Sequence, residues 1–156
     1  MLKMDTTELD DVAEDLYRLQ LSIKGASQDG LKKVGRFVEG EQKDRCPFGP
    51  TQAQAQAAGQ SFVKGSSPGT LESSIGIRMG SDYVEVGVLY GGGQKYGARI
   101  NYDTYKLGPG SVAKDGTTSV DVGRLFVERG YEENEDEVMK IFQMPIDKKI
   151  VKFNRS

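Results

Sequence analysis

Cys46 is the only cysteine in the chain, and there is no histidine. A thiol attacks as its thiolate, and that form needs a positive or basic neighbour to hold it. With no histidine there is no Ser–His–Asp or Cys–His arrangement and no histidine-bearing zinc site. Cys46, at the end of a helical pattern, reads instead as a small buried hydrophobe. Gly91-Gly92-Gly93-Gln94-Lys95 suggests a phosphate loop, but its glycine–lysine spacing is wrong and no Ser or Thr follows Lys95. A flexible hairpin loop accounts for it. The run Glu132-Glu133-Asn134-Glu135-Asp136-Glu137 is rich in carboxylate, yet consecutive helical residues diverge and do not converge on one ion. It reads as a solvated helix face or as a surface for a basic partner. One such partner is the cluster Lys148, Lys149, Lys152 and Arg155 on a neighbouring subunit, where opposite charge would favour a ring. Gln52, Gln54, Gln56 and Gln60 are the other candidates for partner contact. No residue is assigned to catalysis, to a cofactor or to a metal, and the chain is expected not to be an enzyme.

The chain has 156 residues, enough for one domain with a real core, and one domain over 1–156 is expected. Its net charge of −2 argues against a protein held to nucleic acid by phosphate neutralisation. Lys32, Lys33, Arg36, Lys43 and Arg45 form the most basic segment, but Glu39, Glu41 and Asp44 interleave with them. That pattern reads as an exposed, salt-bridged helix and not a DNA face. No stretch has the length and apolarity of a transmembrane helix, and Met1 to Asp15 is too acidic for a signal peptide. A single cysteine suits folding in a reducing cytoplasm.

Leu9, Val12, Ala13, Leu16, Leu19 and Ile23 recur at helical spacing, which predicts an amphipathic helix over 6–24 with an Asp5–Glu8 capping box and a stop at Gly25. A second helix is predicted over 27–45 on Leu31, Val34, Phe37 and Val38; Gly30, Gly35 and Gly40 each weaken it by about 1 kcal/mol, and Pro47 ends it. Residues 47–70 read as a long loop, Gln/Ala-rich over 51–60 and able to order against a partner. Then the period becomes two. Leu71 to Met79 and Val84 to Tyr90 read as a hairpin turning at Gly80-Ser81-Asp82, with a third strand over Tyr96 to Tyr102. Residues 103–120 read as loop and Leu125 to Phe142 as helix ended by Pro145. Residues 145–156 read as an arm whose Ile146–Phe153 stretch could be a last strand.

In this order the parts resemble the phage tail-component family of tail-completion and tail-terminator proteins. Three stretches carry the likeness. The first is Val34-Gly35-Arg36-Phe37-Val38-Glu39-Gly40-Glu41-Gln42-Lys43-Asp44-Arg45-Cys46-Pro47, followed by Gly69-Thr70-Leu71 leading to Ser74-Ile75. The second is Tyr96-Gly97-Ala98-Arg99-Ile100-Asn101-Tyr102, with Asn101 where the family commonly has an acid. The third is Arg124-Leu125-Phe126-Val127-Glu128-Arg129-Gly130-Tyr131-Glu132-Glu133-Asn134, a phenylalanine-led approach to an acidic helix. The likeness spans about residues 30–143, and an insertion over Gly49–Ser67 separates the Cys-Pro turn from Gly69.

The resemblance implies an α+β subunit: a small, mostly antiparallel sheet packed with N-terminal helices and a C-terminal helix, with long inserted loops. It implies a virion protein at the head–tail neck, assembled in the host cytoplasm as a homo-oligomeric, commonly hexameric ring. Such a ring caps the tail tube protein and docks on head connector or stopper proteins, while DNA passes through the lumen without sequence-specific binding. No cofactor and no membrane is implied. Three other readings compete, the least favoured being an enzyme that uses carboxylates or Tyr, for which the sequence offers no pair of acids to place across a cleft. A head-side connector or stopper ring would use a channel loop, for which 51–60 is the candidate. A small host-protein-binding module would be a stable monomer with one exposed apolar patch.

Overall fold

The first element of the computed structural model is one helix, α1 (Thr6–Arg45), of 40 residues. At 1.5 Å per residue it is about 60 Å long. The structure describes residues 6–49, 52–57, 59, 69–102 and 106–155. The Asp5–Glu8 capping pair, Gln60 and the side chains of Gln52 and Gln54 lie outside what is described. The expected break at Gly25 does not occur, so the two predicted helices are one. Ala26, Gly30, Val34, Val38, Gln42 and Arg45 form an unbroken buried line along it, and tertiary packing of such a line outweighs the low propensity of its glycines. Two of those glycines are required by packing. A Cβ on Gly30 would meet the Phe142 carbonyl oxygen at 2.7 Å, and one on Gly35 would meet Val84 Cγ2 at 2.8 Å.

The predicted loop 47–70 contains two short helices, α2 (Gln52–Ala57) and α3 (Thr70–Ser73). The apolar alternation read from Leu71 therefore starts late. Leu71 is buried from a helical turn, and the first strand, β1 (Ile75–Met79), pairs antiparallel with β2 (Val84–Val88) in the register Ile75↔Val88 to Met79↔Val84. A lone hairpin is marginal in water. This one lies on α1, where Val84 and Val86 pack with Val34, Val38 and Val138.

The predicted third strand is a helix, α4 (Gln94–Tyr102). Tyr96, Ala98, Ile100 and Tyr102 gave the period of two. The inward face is instead Gly97, Ile100 and Asn101, at helical spacing, with Gly97 so close to β2 that a Cβ would lie 2.9 Å from Val88 Cγ1. A glycine and an asparagine on a buried face are invisible to a hydrophobicity pattern. The predicted loop 103–120 contains α5 (Pro109–Asp115), with proline in its first turn, where its missing N–H costs nothing.

The predicted helix over 125–142 is two, α6 (Phe126–Glu132) and α7 (Glu135–Phe153), broken at Glu133-Asn134. Pro145 does not end α7. It is buried within it, on the same side as Val138, so packing on α1 offsets the ~3 kcal/mol that an interior proline costs. The expected arm is thereby the last part of a helix as far as Phe153. α7 runs antiparallel to α1: Phe142 meets Gly30, while Lys149, Lys152 and Phe153 share an open hollow with Arg18, Leu19 and Ser22. The protein is thus α+β, with two helices and a hairpin around one apolar cluster. A second cluster of Cys46, Leu71, Ile75 and Phe126 closes the end near the α1 C-terminus.

Candidate interaction surface

Cys46 is fully buried, and burial pushes its thiol up to about 12, with Lys114 only partly opposing. At neutral pH it is a protonated core side chain, inert as a nucleophile. Lys114 Nζ, reaching from α5, donates to the carbonyl oxygens of Lys43 and Cys46 and lies 3.0 Å from Glu72 Oε2. It thereby caps the C-terminus of α1 with positive charge, as the helix dipole favours.

Arg45 departs from the exposed role expected of its segment. Its side chain is only 4% exposed and forks onto two carboxylates, with Glu41 at 2.5 Å and Glu133 at 2.9 Å. Burial works against the guanidinium charge, but Glu41 and Glu133 overcome it and hold the group above its ordinary value. Glu133 also receives Arg129 Nε at 2.6 Å, and Asn134 Nδ2 donates to Glu41. Arg129 first, then Arg45, hold the Glu133 carboxyl below its usual range. This network locks the α6–α7 corner onto the end of α1. Nothing in the sequence pattern separated Arg45 from its exposed neighbours Lys32, Lys33 and Arg36.

Asn101 is a second buried polar hinge. Its backbone oxygen accepts from Leu125 N at 2.7 Å, its Oδ1 accepts from Val127 N at 3.2 Å, and its Nδ2 donates to Glu128 Oε2 at 2.7 Å. Leu125 sits in the left-handed region at φ 57°. Asn101 thus supplies, from a distant element, the cap that α6 lacks at its own N-cap position. Burial pushes Glu128 upward, but hydrogen bonds from Tyr102 and Asn101 outweigh it and lower the carboxyl.

The candidate contact residues fall into three groups. The α2 helix carries Gln52, Gln54 and Gln56 and touches α5; Gln56 is exposed. The acidic run is divided by the corner: Glu132 ends α6 and is exposed, Glu133 is engaged internally, and Glu135 and Asp136 lie in the first turn of α7, favourable to its dipole. Lys148, Lys149, Lys152 and Arg155 lie at or just past the opposite end of α7, roughly 25 Å from Glu135. All four are exposed and make no ion pair among the described residues. The acidic run and the basic cluster therefore do not meet within one chain.

No cluster of three His, Cys, Asp or Glu side chains among the described residues could hold a metal ion, and none of their helices is long and apolar enough to cross a membrane. Residues 10–18 of α1 are exposed on every side, Val12, Leu16 and Tyr17 included. Periodicity marked this apolar stripe but not that half of it is uncovered. Compared with known proteins, the chain matches no family model, no curated protein and no solved structure.

Proposed function

We propose that this protein is a structural subunit of a tailed phage, a tail-completion or tail-terminator protein that forms a ring at the head–tail neck, caps the tail tube and joins it to the head connector. The observation that carries the reading is where the resembling segments lie. They are far apart in sequence, yet Cys46 of the first, Leu71 and Ile75 of the stretch linked to it, and Phe126 of the third build one buried cluster, with Ile100 of the second packed against it. Motifs that pack on one another are better read together as a fold signature than as scattered coincidences. The second segment departs from the family pattern, being helical here, but its Ile100 packs against the same cluster.

The surface supports the same reading. A ring subunit needs two different patches that fit each other on adjacent copies, and it needs no catalytic cleft. The test is electron microscopy of particles from a parent phage lacking this gene. Filled heads separated from free tails, with tails of irregular length, are the expected result. Empty heads that have lost their DNA would move the protein to the connector or stopper side, and normal infectious particles would overturn the structural reading.

A further inference from the structure

The buried line of α1 continues past the end of α7 without changing face. Leu19 and Ser22 lie beside Phe153, where α7 stops. Beyond them the same stripe runs on through Leu16 and Val12, which are 58% and 56% exposed. Residues 10–17 thus project roughly 12 Å beyond the packed body, carrying an apolar stripe that no described residue covers. Asp11 and Asp15 flank the stripe. Asp15 lies 3.9 Å from Arg18 one turn on, an exposed pair worth little, and both aspartates lie beyond the first turn, out of reach of the helix dipole.

The outer face at the end of α7 is the complement. Val151 is 48% exposed there among Lys148, Lys152 and Arg155, and Met144, also 48% exposed, lies two turns earlier on the same side of the helix. Lys152 also borders the hollow that α7 shares with Arg18, Leu19 and Ser22 of its own α1, whereas Lys148, Val151 and Arg155 do not line that hollow. Two projecting turns from different copies would set aspartate against aspartate, so they suit the basic face better than each other.

We propose that the projecting turns of α1 dock on the outer C-terminal face of α7 in a second copy of this chain, Val12 and Leu16 against Met144 and Val151, Asp11 and Asp15 against Lys148, Lys152 and Arg155. The contact is head-to-tail, each copy giving one patch and receiving on another, which is the arrangement that closes rings. It rests on the ring-forming reading above and names the surfaces that reading requires. It also gives the basic cluster an acidic partner other than the 132–137 run, of which Glu133 is already engaged by Arg45 and Arg129.

The experiment is sedimentation of the full chain over a range of concentrations at low salt. Wild type should associate. Asp11→Lys with Asp15→Lys should weaken association about tenfold or more, as should Lys148→Glu with Lys152→Glu, and all four together should restore it. Val12→Asp with Leu16→Asp should abolish it, with circular dichroism and thermal midpoint unchanged. Single reversals that weaken association but are not rescued in combination overturn the pairing. A loss seen only with the α1 reversal points to contact between projecting turns and also overturns it. Association unaffected by any variant overturns this interface and leaves the ring reading standing. A wild-type chain that stays monomeric throughout overturns docking between copies, and the neck reading is then decided by the particles of the deletion phage.

Discussion

Asn101 shows how a single side chain decides a local structure. It is buried and joins α4 to α6 by three hydrogen bonds, one of them to the carboxylate of Glu128. An aspartate has the same shape but no donor. Asn101→Asp should therefore set two carboxylates face to face and destabilise the fold by about 1–3 kcal/mol at neutral pH, read from urea denaturation. The sign of its pH dependence follows from Glu128. In the wild type its carboxyl is lowered, so its stabilisation is present above the unfolded value near 4.3 and is lost as pH falls through the folded value. The variant lacks one of the donors responsible, so the gap between the two proteins should narrow below about pH 4; a constant gap would mean that the hydrogen bond to Glu128 contributes nothing. At this scale the sequence was partly legible. Cys46 could be placed in the core because no group to activate it was present. Arg45 and Asn101 could not, because burial of a polar residue depends on partners 88 and 27 positions away.

The elements follow from packing as much as from propensity, and the glycines of α1 separate the two. A Cβ added at Gly25 or Gly40 would meet nothing within 4 Å, whereas Gly30 and Gly35 lie against Phe142 and Val84. Gly25→Ala and Gly40→Ala should each stabilise the protein by about 0.5–1 kcal/mol. Gly30→Ala should cost about 1–3 kcal/mol, since the obstructing atom is backbone. Shifts in urea midpoint at constant slope would measure both, and a stabilising Gly30→Ala would show that α7 is not seated as described. The same contrast explains which elements could be read in advance. The hairpin was legible because valine and isoleucine alternate on both strands. The helix over 94–102 was mistaken for a strand because its inward face holds Gly97 and Asn101. The stops placed at Gly25 and Pro145 were sound as local preferences, and contacts between α1 and α7 overrode both.

Across the whole molecule, the α+β class and the presence of N-terminal and C-terminal helices were visible in the sequence, while the helical course of 145–153 and the antiparallel match of α1 to α7 were not. Hydrophobic periodicity shows that a face is apolar but not how far along a helix the partner extends. Where α7 stops, α1 continues as helix, and a helix carries angle as well as distance. One residue inserted between Arg18 and Leu19 would turn the projecting stripe by about 100° while leaving the packed half untouched. Seven residues would return it to within about 20° of its first direction and carry it roughly 10 Å outward. The first insertion should abolish association of a chain that folds normally. The second should keep neighbours docked but at wider spacing, so that a closed assembly would take a different number of subunits and a different mass. In an assembly built through the proposed contact, the phase of this one helix would act as the gauge that sets its width.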